Sequence, residues 1–256
     1  MEGILSSCYH ICPIDESFQF DTTFIYVSIA LCFLKMFQFR HPDILANAHM
    51  AFCFIAVALI FETMGYYSPP NIFLGIFLVS YIGMVICVLS VLHQLKKKTR
   101  GRNALLISLL CMNFILAGLI GYKMFMSKDV VVSDFLMFIF GANYIVYAIY
   151  YGLSKYYYVL KMGRATESLT FTCWIYILLS TSFGICGMYF FVSKQKNTGL
   201  SSSESRHLNS ECMFWFFDYH DVWHFASALA IFFQFMVLLT LEDNNTCTPW
   251  NEIPVF

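Results

Sequence analysis

Two histidines, His220 and His224, stand four residues apart in the stretch HDVWHF (220–225), at the threshold of a long apolar run. On a helix that spacing turns both imidazoles to one face, the arrangement by which helical histidines chelate a single metal ion. Alone the spacing is a weak signal, because the same pair also serves to anchor a helix end at a membrane interface. A second set of suitable groups lies near the other end of the chain, in LSSCYHICPIDESFQFDTTF (5–24). There Ser6 and His10 are four apart, and Asp21 follows eleven residues after His10.

Three imidazoles and a carboxylate suit Zn²⁺, which takes four-coordinate N/O/S sites and keeps one position open when it is catalytic. Water on such an ion reaches a pKa of about 7, giving hydroxide at neutral pH. His10, Asp21, His220 and His224 are therefore the candidate metal ligands. Asp21 is also a candidate catalytic base, and Ser6 a candidate hydrogen-bond donor to an oxyanion on an acyl or phosphoryl substrate. Asp218 and Asp221 flank His220. Asp221 is rotated by about 100° from it on a helix, so it reads as solvating the interface or orienting a ligand. Cys212 precedes the histidine pair, and Cys8 and Cys12 flank His10. On an oxidising side of the membrane, Cys212 with Cys8 or Cys12 is a candidate disulfide; free thiols and thiolate ligation are the alternatives.

These groups meet only if the intervening elements bring them to one membrane face. Of 256 residues, 59% are hydrophobic and 12% charged, with 28 Phe. A soluble domain carries about 25% charged residues, so the composition is that of an integral membrane protein. Its net charge of −1 offers no global attraction to nucleic acid. The opening MEGILSSCYHICP lacks a basic n-region and a small-residue cleavage site, so no signal peptide is expected before the first span. Apolar runs near 21–39, 44–66, 71–95, 103–125, 133–153, 169–193 and 220–241 predict an all-α membrane protein of seven transmembrane helices in one bundle. Cys32, Cys53, Cys87, Cys111, Cys173 and Cys186 lie inside these runs, as small buried hydrophobes.

Loop charge sets the expected orientation. Arg40, the KKKTRGR run (96–102), Lys155, Lys161 and Arg164 put nine cations on one side, against five on the other. The positive-inside rule then makes the N-terminus exoplasmic and the C-terminus cytosolic. That places both halves of the candidate metal site on the exoplasmic face, although the charges counted lie elsewhere. It also keeps the Asn244-Asn245-Thr246 sequon from any glycosyltransferase. The Ser-rich segment 194–212 reads as an exoplasmic linker. The expected divisions are 1–20, carrying Ser-x-x-x-His, 21–241, the transmembrane domain, and 242–256, a cytosolic tail.

The segments SSCYHICP, FQFDTTFIY, FRHPDI and FDYHDVWHFASALAIFFQFMVLLTLEDN resemble the C-terminal membrane half of the SID-type transmembrane family. That family is linked to systemic RNA interference, double-stranded RNA uptake and cholesterol transport. Its wider superfamily is similar to alkaline ceramidases and adiponectin-type receptors, whose signature is Ser-x-x-x-His, a downstream Asp and a late His-x-x-x-His around an intramembrane zinc. The signature falls on Ser6, His10, Asp21, His220 and His224. Family members carry a β-rich ectodomain, a principal RNA-binding element, and further spans before the first motif. Residues 1–20 are therefore expected to be the remnant of a preceding helix in a longer protein.

The resemblance implies double-stranded RNA uptake or cholesterol transport at the plasma membrane or in lysosomes and endosomes. Membrane lipid, cholesterol, double-stranded RNA and a second copy of the chain are the expected partners. The residue chemistry points instead to a zinc-dependent lipid hydrolase cleaving an amide or phosphodiester. A purely structural zinc is a third reading. Leu153, Tyr157 and Lys161 fit the loose sterol-contact pattern, with an interfacial aromatic belt as the plainer explanation.

Overall fold

Backbone amides inside a bilayer must find their partners within the chain, and a helix meets that demand locally. The computed structural model describes residues 15–40, 100–126, 132–193 and 217–256, with isolated positions between 53 and 82 and at 203–204. Among the described residues every regular element is helical. The helices are α1 (Asp15–Arg40), α2 (Arg100–Met126), α3 (Val132–Met162), α4 (Phe171–Ser193) and α5 (Tyr219–Thr240). Short 3-10 turns lie at Ala165–Glu167 and Asp243–Asn245.

Among the described residues, three stretches are long and apolar enough to cross a membrane: Met137–Met162, Ala165–Ser193 and Tyr219–Asn245. They match the expected spans at 133–153, 169–193 and 220–241, with the first displaced toward its C-terminal end. The expected spans at 21–39 and 103–125 fall on helices α1 and α2. Those at 44–66 and 71–95 lie outside the described residues, apart from isolated helical positions.

The helix ends follow local chemistry. Thr170 Oγ1 accepts the Cys173 amide at 3.2 Å, which caps the first turn of α4. Gly163, at φ +65°, ends α3, because a left-handed residue costs least where no Cβ is present. At the start of α5, Asp218 and Asp221 form a reciprocal capping box: the Asp221 amide donates to Asp218 Oδ1 at 2.8 Å, and the Asp218 amide to Asp221 Oδ2 at 3.1 Å.

The chain forms two compact units. One comprises residues 1–24 and 158–253, and in it α4 and α5 pack antiparallel. Phe190 meets Tyr219, Phe191 meets Trp223, and Phe183 stacks on Phe233 with ring centroids 5.8 Å apart. Gly187 permits a close approach: a Cβ built there would lie 3.5 Å from the Ser227 nitrogen and 3.6 Å from Ala226 Cβ. Nearer the other end of the pair, Ser180 Oγ lies 3.1 Å from the Ala230 carbonyl and 3.2 Å from Gln234 Oε1. Beyond α5 the chain turns back on the segment before α4. Asn244 donates to the Ser168 carbonyl at 2.8 Å, Asn245 to Glu242 and Glu167, and Arg164 to the Glu252 carbonyl at 2.6 Å.

The second unit comprises residues 25–157 and 254–256. Phe33 and Phe37 pack on Tyr147 while Arg40 meets Tyr151, so α1 and α3 run parallel here. Asn113 of α2 and Asn143 of α3 exchange a reciprocal pair of amide hydrogen bonds, both 2.8 Å. Arg40, the last residue of α1, is fully buried. Its Nε donates to Tyr151 Oη at 3.0 Å, its Nη1 lies 3.5 Å from the Pro254 carbonyl, and the Phe256 ring covers the guanidinium at 4.5 Å.

Two expectations change. Arg40 and Lys155, counted above as loop charges, are 0% and 2% exposed, because each folds into the second unit instead of reaching water. Removing them leaves seven cations against five, a narrower margin for orientation. The cysteines also divide. Cys32 and Cys173 are buried, whereas Cys53, Cys111 and Cys186 are exposed on outward helix faces, because an apolar helix in lipid need not turn its thiols inward. Cys87 lies outside the described residues.

Candidate functional site

The site is built on the first two turns of α5. The capping box satisfies amides at the helix start and fixes the backbone from which His220 and His224 project. Asp221, read from the sequence as a solvating or ligand-orienting group, takes this capping role. Four residues of helix then bring the two imidazoles together. Their Nε2 atoms are 2.9 Å apart, and the ring centroids 4.6 Å at 75°. One Nε2 donates to the other, in a sense set by the tautomers.

His220 is buried and His224 half-buried. Trp223, 3% exposed, lies against both rings, its centroid 4.3 Å from that of His224 and 5.2 Å from that of His220. Phe191 of α4 backs the indole at 5.1 Å, and Ser227 Oγ donates to the His224 carbonyl at 3.1 Å.

The donor set suits a metal. A tetrahedral zinc with bonds of about 2.0–2.1 Å holds two imidazole nitrogens about 3.3 Å apart. Parting the Nε2 atoms by a few tenths of an ångström reaches that spacing. Two histidines do not complete a site, and among the described residues no group of three His, Cys, Asp or Glu is placed to hold a metal ion. Ser6, His10, Cys8, Cys12 and Cys212 lie outside the described residues. Asp21 is described only as a backbone position in α1. Of the expected ligands, the structure therefore brings together His220 and His224.

Leu153 and Tyr157 are exposed on one face of α3, with Lys161 one turn further and also exposed. The sequence reading missed the Trp223–Phe191 wall, for which no local signal exists, since the two residues are 32 apart and on different helices. It also missed the capping box, which the Asp-x-x-Asp pattern before an apolar run could have suggested.

Apolar membrane-length helices and a histidine pair at the head of one of them define an integral membrane protein with a candidate metal-binding face. The chain belongs to the SID-1 family: the family model described as "dsRNA-gated channel SID-1" matches residues 1–256. Among similar proteins, "SID1 transmembrane family member 1" of Homo sapiens is 32% identical over 287 positions, which cover all of this chain and 33% of that protein. Its Mus musculus counterpart is 33% identical with the same coverage. "Cholesterol uptake protein 1" of Caenorhabditis elegans is 32% identical over 285 positions, covering all of this chain and 36% of the relative. The chain thus spans about a third of the length of the curated relatives it matches.

Proposed function

We propose that this chain forms the multi-pass membrane part of a protein that takes up double-stranded RNA or cholesterol, with an intramembrane zinc site. The family model and the names of the relatives support the transport role. The observation that carries the zinc reading is the 2.9 Å convergence of the His220 and His224 Nε2 atoms at the head of an apolar helix. In this reading seven helices form the bundle, the N-terminus is exoplasmic and the C-terminus cytosolic. His10 and Asp21 join the histidine pair as ligands, with Ser6 beside them. Zinc, when bound, supplies Lewis acidity and a water of lowered pKa. A bridge from Cys212 to Cys8 or Cys12 would tie the two halves of the site together on the exoplasmic face. Leu153, Tyr157 and Lys161 form the sterol contact. The protein resides in the plasma membrane or in lysosomes and endosomes, and a second copy of the chain is a further partner.

Metal analysis of purified protein tests the centre. Zinc should be present in the parent chain and fall to background on His220→Ala or His224→Ala; unchanged metal content would remove it. A cysteine introduced near position 220 should react with an impermeant reagent from the same side as one near position 10. Labelling from opposite sides would end the shared site.

A zinc-dependent lipid hydrolase, with Asp21 as base and Ser6 at the oxyanion, is the second reading. It is favoured by the position of the histidines at the head of a membrane-length helix. Zinc-loaded protein should then cleave ceramide or phospholipid. If it leaves both intact, the metal clamps helices and does no chemistry.

A further inference from the structure

Trp223 is an unusual neighbour for a pair of candidate ligands. A histidine pair presented by one helix turn ordinarily takes its ring orientations from hydrogen-bond partners beyond the metal. The Trp223 indole adds an aromatic contact to both rings, tilted by 44° against His224 with centroids 4.3 Å apart and edge-on to His220 at 5.2 Å. The indole is itself held from behind by Phe191, on a different helix. Phe191 in turn stands one turn from Gly187, where α4 lies against Ala226 and Ser227 of α5. The α4–α5 packing thus reaches the two imidazoles through Trp223.

We infer that Trp223, clamped by Phe191, is the positioning residue that keeps the two Nε2 atoms convergent for a divalent metal ion. This rests on the zinc reading given above. Both imidazoles have rotational freedom about the bond joining ring to Cβ, and the cost of divergent rings is small when nothing abuts them. A broad, stiff indole against both removes part of that freedom before the ion arrives, so less ordering is left to be done on binding. It also excludes water from one side of the rings, which strengthens the ligand–ion interaction. A flexible aliphatic side chain of similar size would fill the space without imposing an orientation.

Full-length chain in detergent or nanodiscs, titrated with Zn²⁺ against a competing chromophoric chelator, tests the assignment. Trp223→Leu should weaken zinc binding by about tenfold or more, the range found when residues supporting a ligand are lost. Trp223→Phe, which keeps a flat ring on Phe191, should restore affinity close to the parent's. Cobalt substituted for zinc should give visible absorption bands that shift in Trp223→Leu and not in Trp223→Phe. A separate arm retains Trp223 as sole indole, with Trp174, Trp215 and Trp250 changed to Phe. Zinc should alter its emission, and should not do so once His220→Ala is added.

Equal affinities in the leucine, phenylalanine and parent chains would overturn the assignment, as would an emission unresponsive to zinc. Should Trp223→Leu fail to fold, Phe191→Leu and the emission arm decide. A parent chain that binds no zinc would sink the metal reading itself, an outcome separate from unchanged affinity in a zinc-binding Trp223→Leu variant.

Discussion

At the scale of single residues, the histidine pair depends on groups that never touch a metal. The Asp218 carboxylate accepts the Asp221 amide, and Asp221 returns the bond. Without that exchange the first turn of α5 has orphan amides and frays. Asp218→Ala should cost about 1 kcal/mol, the usual loss for an acidic N-cap. Hydrogen exchange at 219–222 should speed up in this variant while the remainder of α5 keeps its protection. Asp218→Asn should retain most of it, since its side-chain oxygen still accepts. The pattern His-x-x-x-His was readable from sequence because helix geometry alone sets it. The Trp223 contact was not, because Phe191 reaches it only through tertiary packing.

Between elements, lipid gives little hydrophobic reward for association, so close packing and interhelical amide bonds hold helices together. Gly187 shows the first: a Cβ there would meet Ala226 and Ser227 at ordinary contact distance. Gly187→Ala should leave the α4–α5 pair intact, whereas Gly187→Leu should force the helices apart and lower thermal stability in detergent. The Asn113–Asn143 pair shows the second. Each amide donates both to its partner and to a carbonyl four residues back, at 2.8 Å throughout. Asn113→Leu or Asn143→Leu alone should each cost about 1 kcal/mol. The double variant should cost clearly less than the sum, because no amide is then left with half its partners missing. Thermal denaturation of all four chains closes the cycle, and strict additivity would show that the two amides act independently.

Over the whole chain, the unit holding residues 25–157 and 254–256 joins segments more than 200 residues apart through one guanidinium. Arg40 is costly to bury and is retained by a hydroxyl, a carbonyl and two aromatic faces. Arg40→Ala should destabilise by about 2 kcal/mol or more, since it removes a charged hydrogen bond and two ring contacts at once. Arg40→Lys should not rescue it, because a point-charge ammonium cannot present the planar fork that stacks on Phe256 while bonding Tyr151. A midpoint of thermal unfolding restored by lysine would show that charge alone matters.

Composition and hydropathy settled that this is a helical membrane protein, because hydrocarbon admits few charges and demands internally bonded backbone. The motif residues likewise made the resemblance to the SID-type family legible in the sequence, because short spacings on one helix survive reading in one dimension. Tertiary structure alone decided which charges are buried. Arg40 and Lys155 look like interfacial loop cations in the sequence. Whether a cation faces water or an aromatic wall depends on residues such as Tyr151 and Phe256 that are distant along the chain. For the same reason, only the fold could show that Trp223, which sits between His220 and His224 on one helix, is backed by Phe191 of α4.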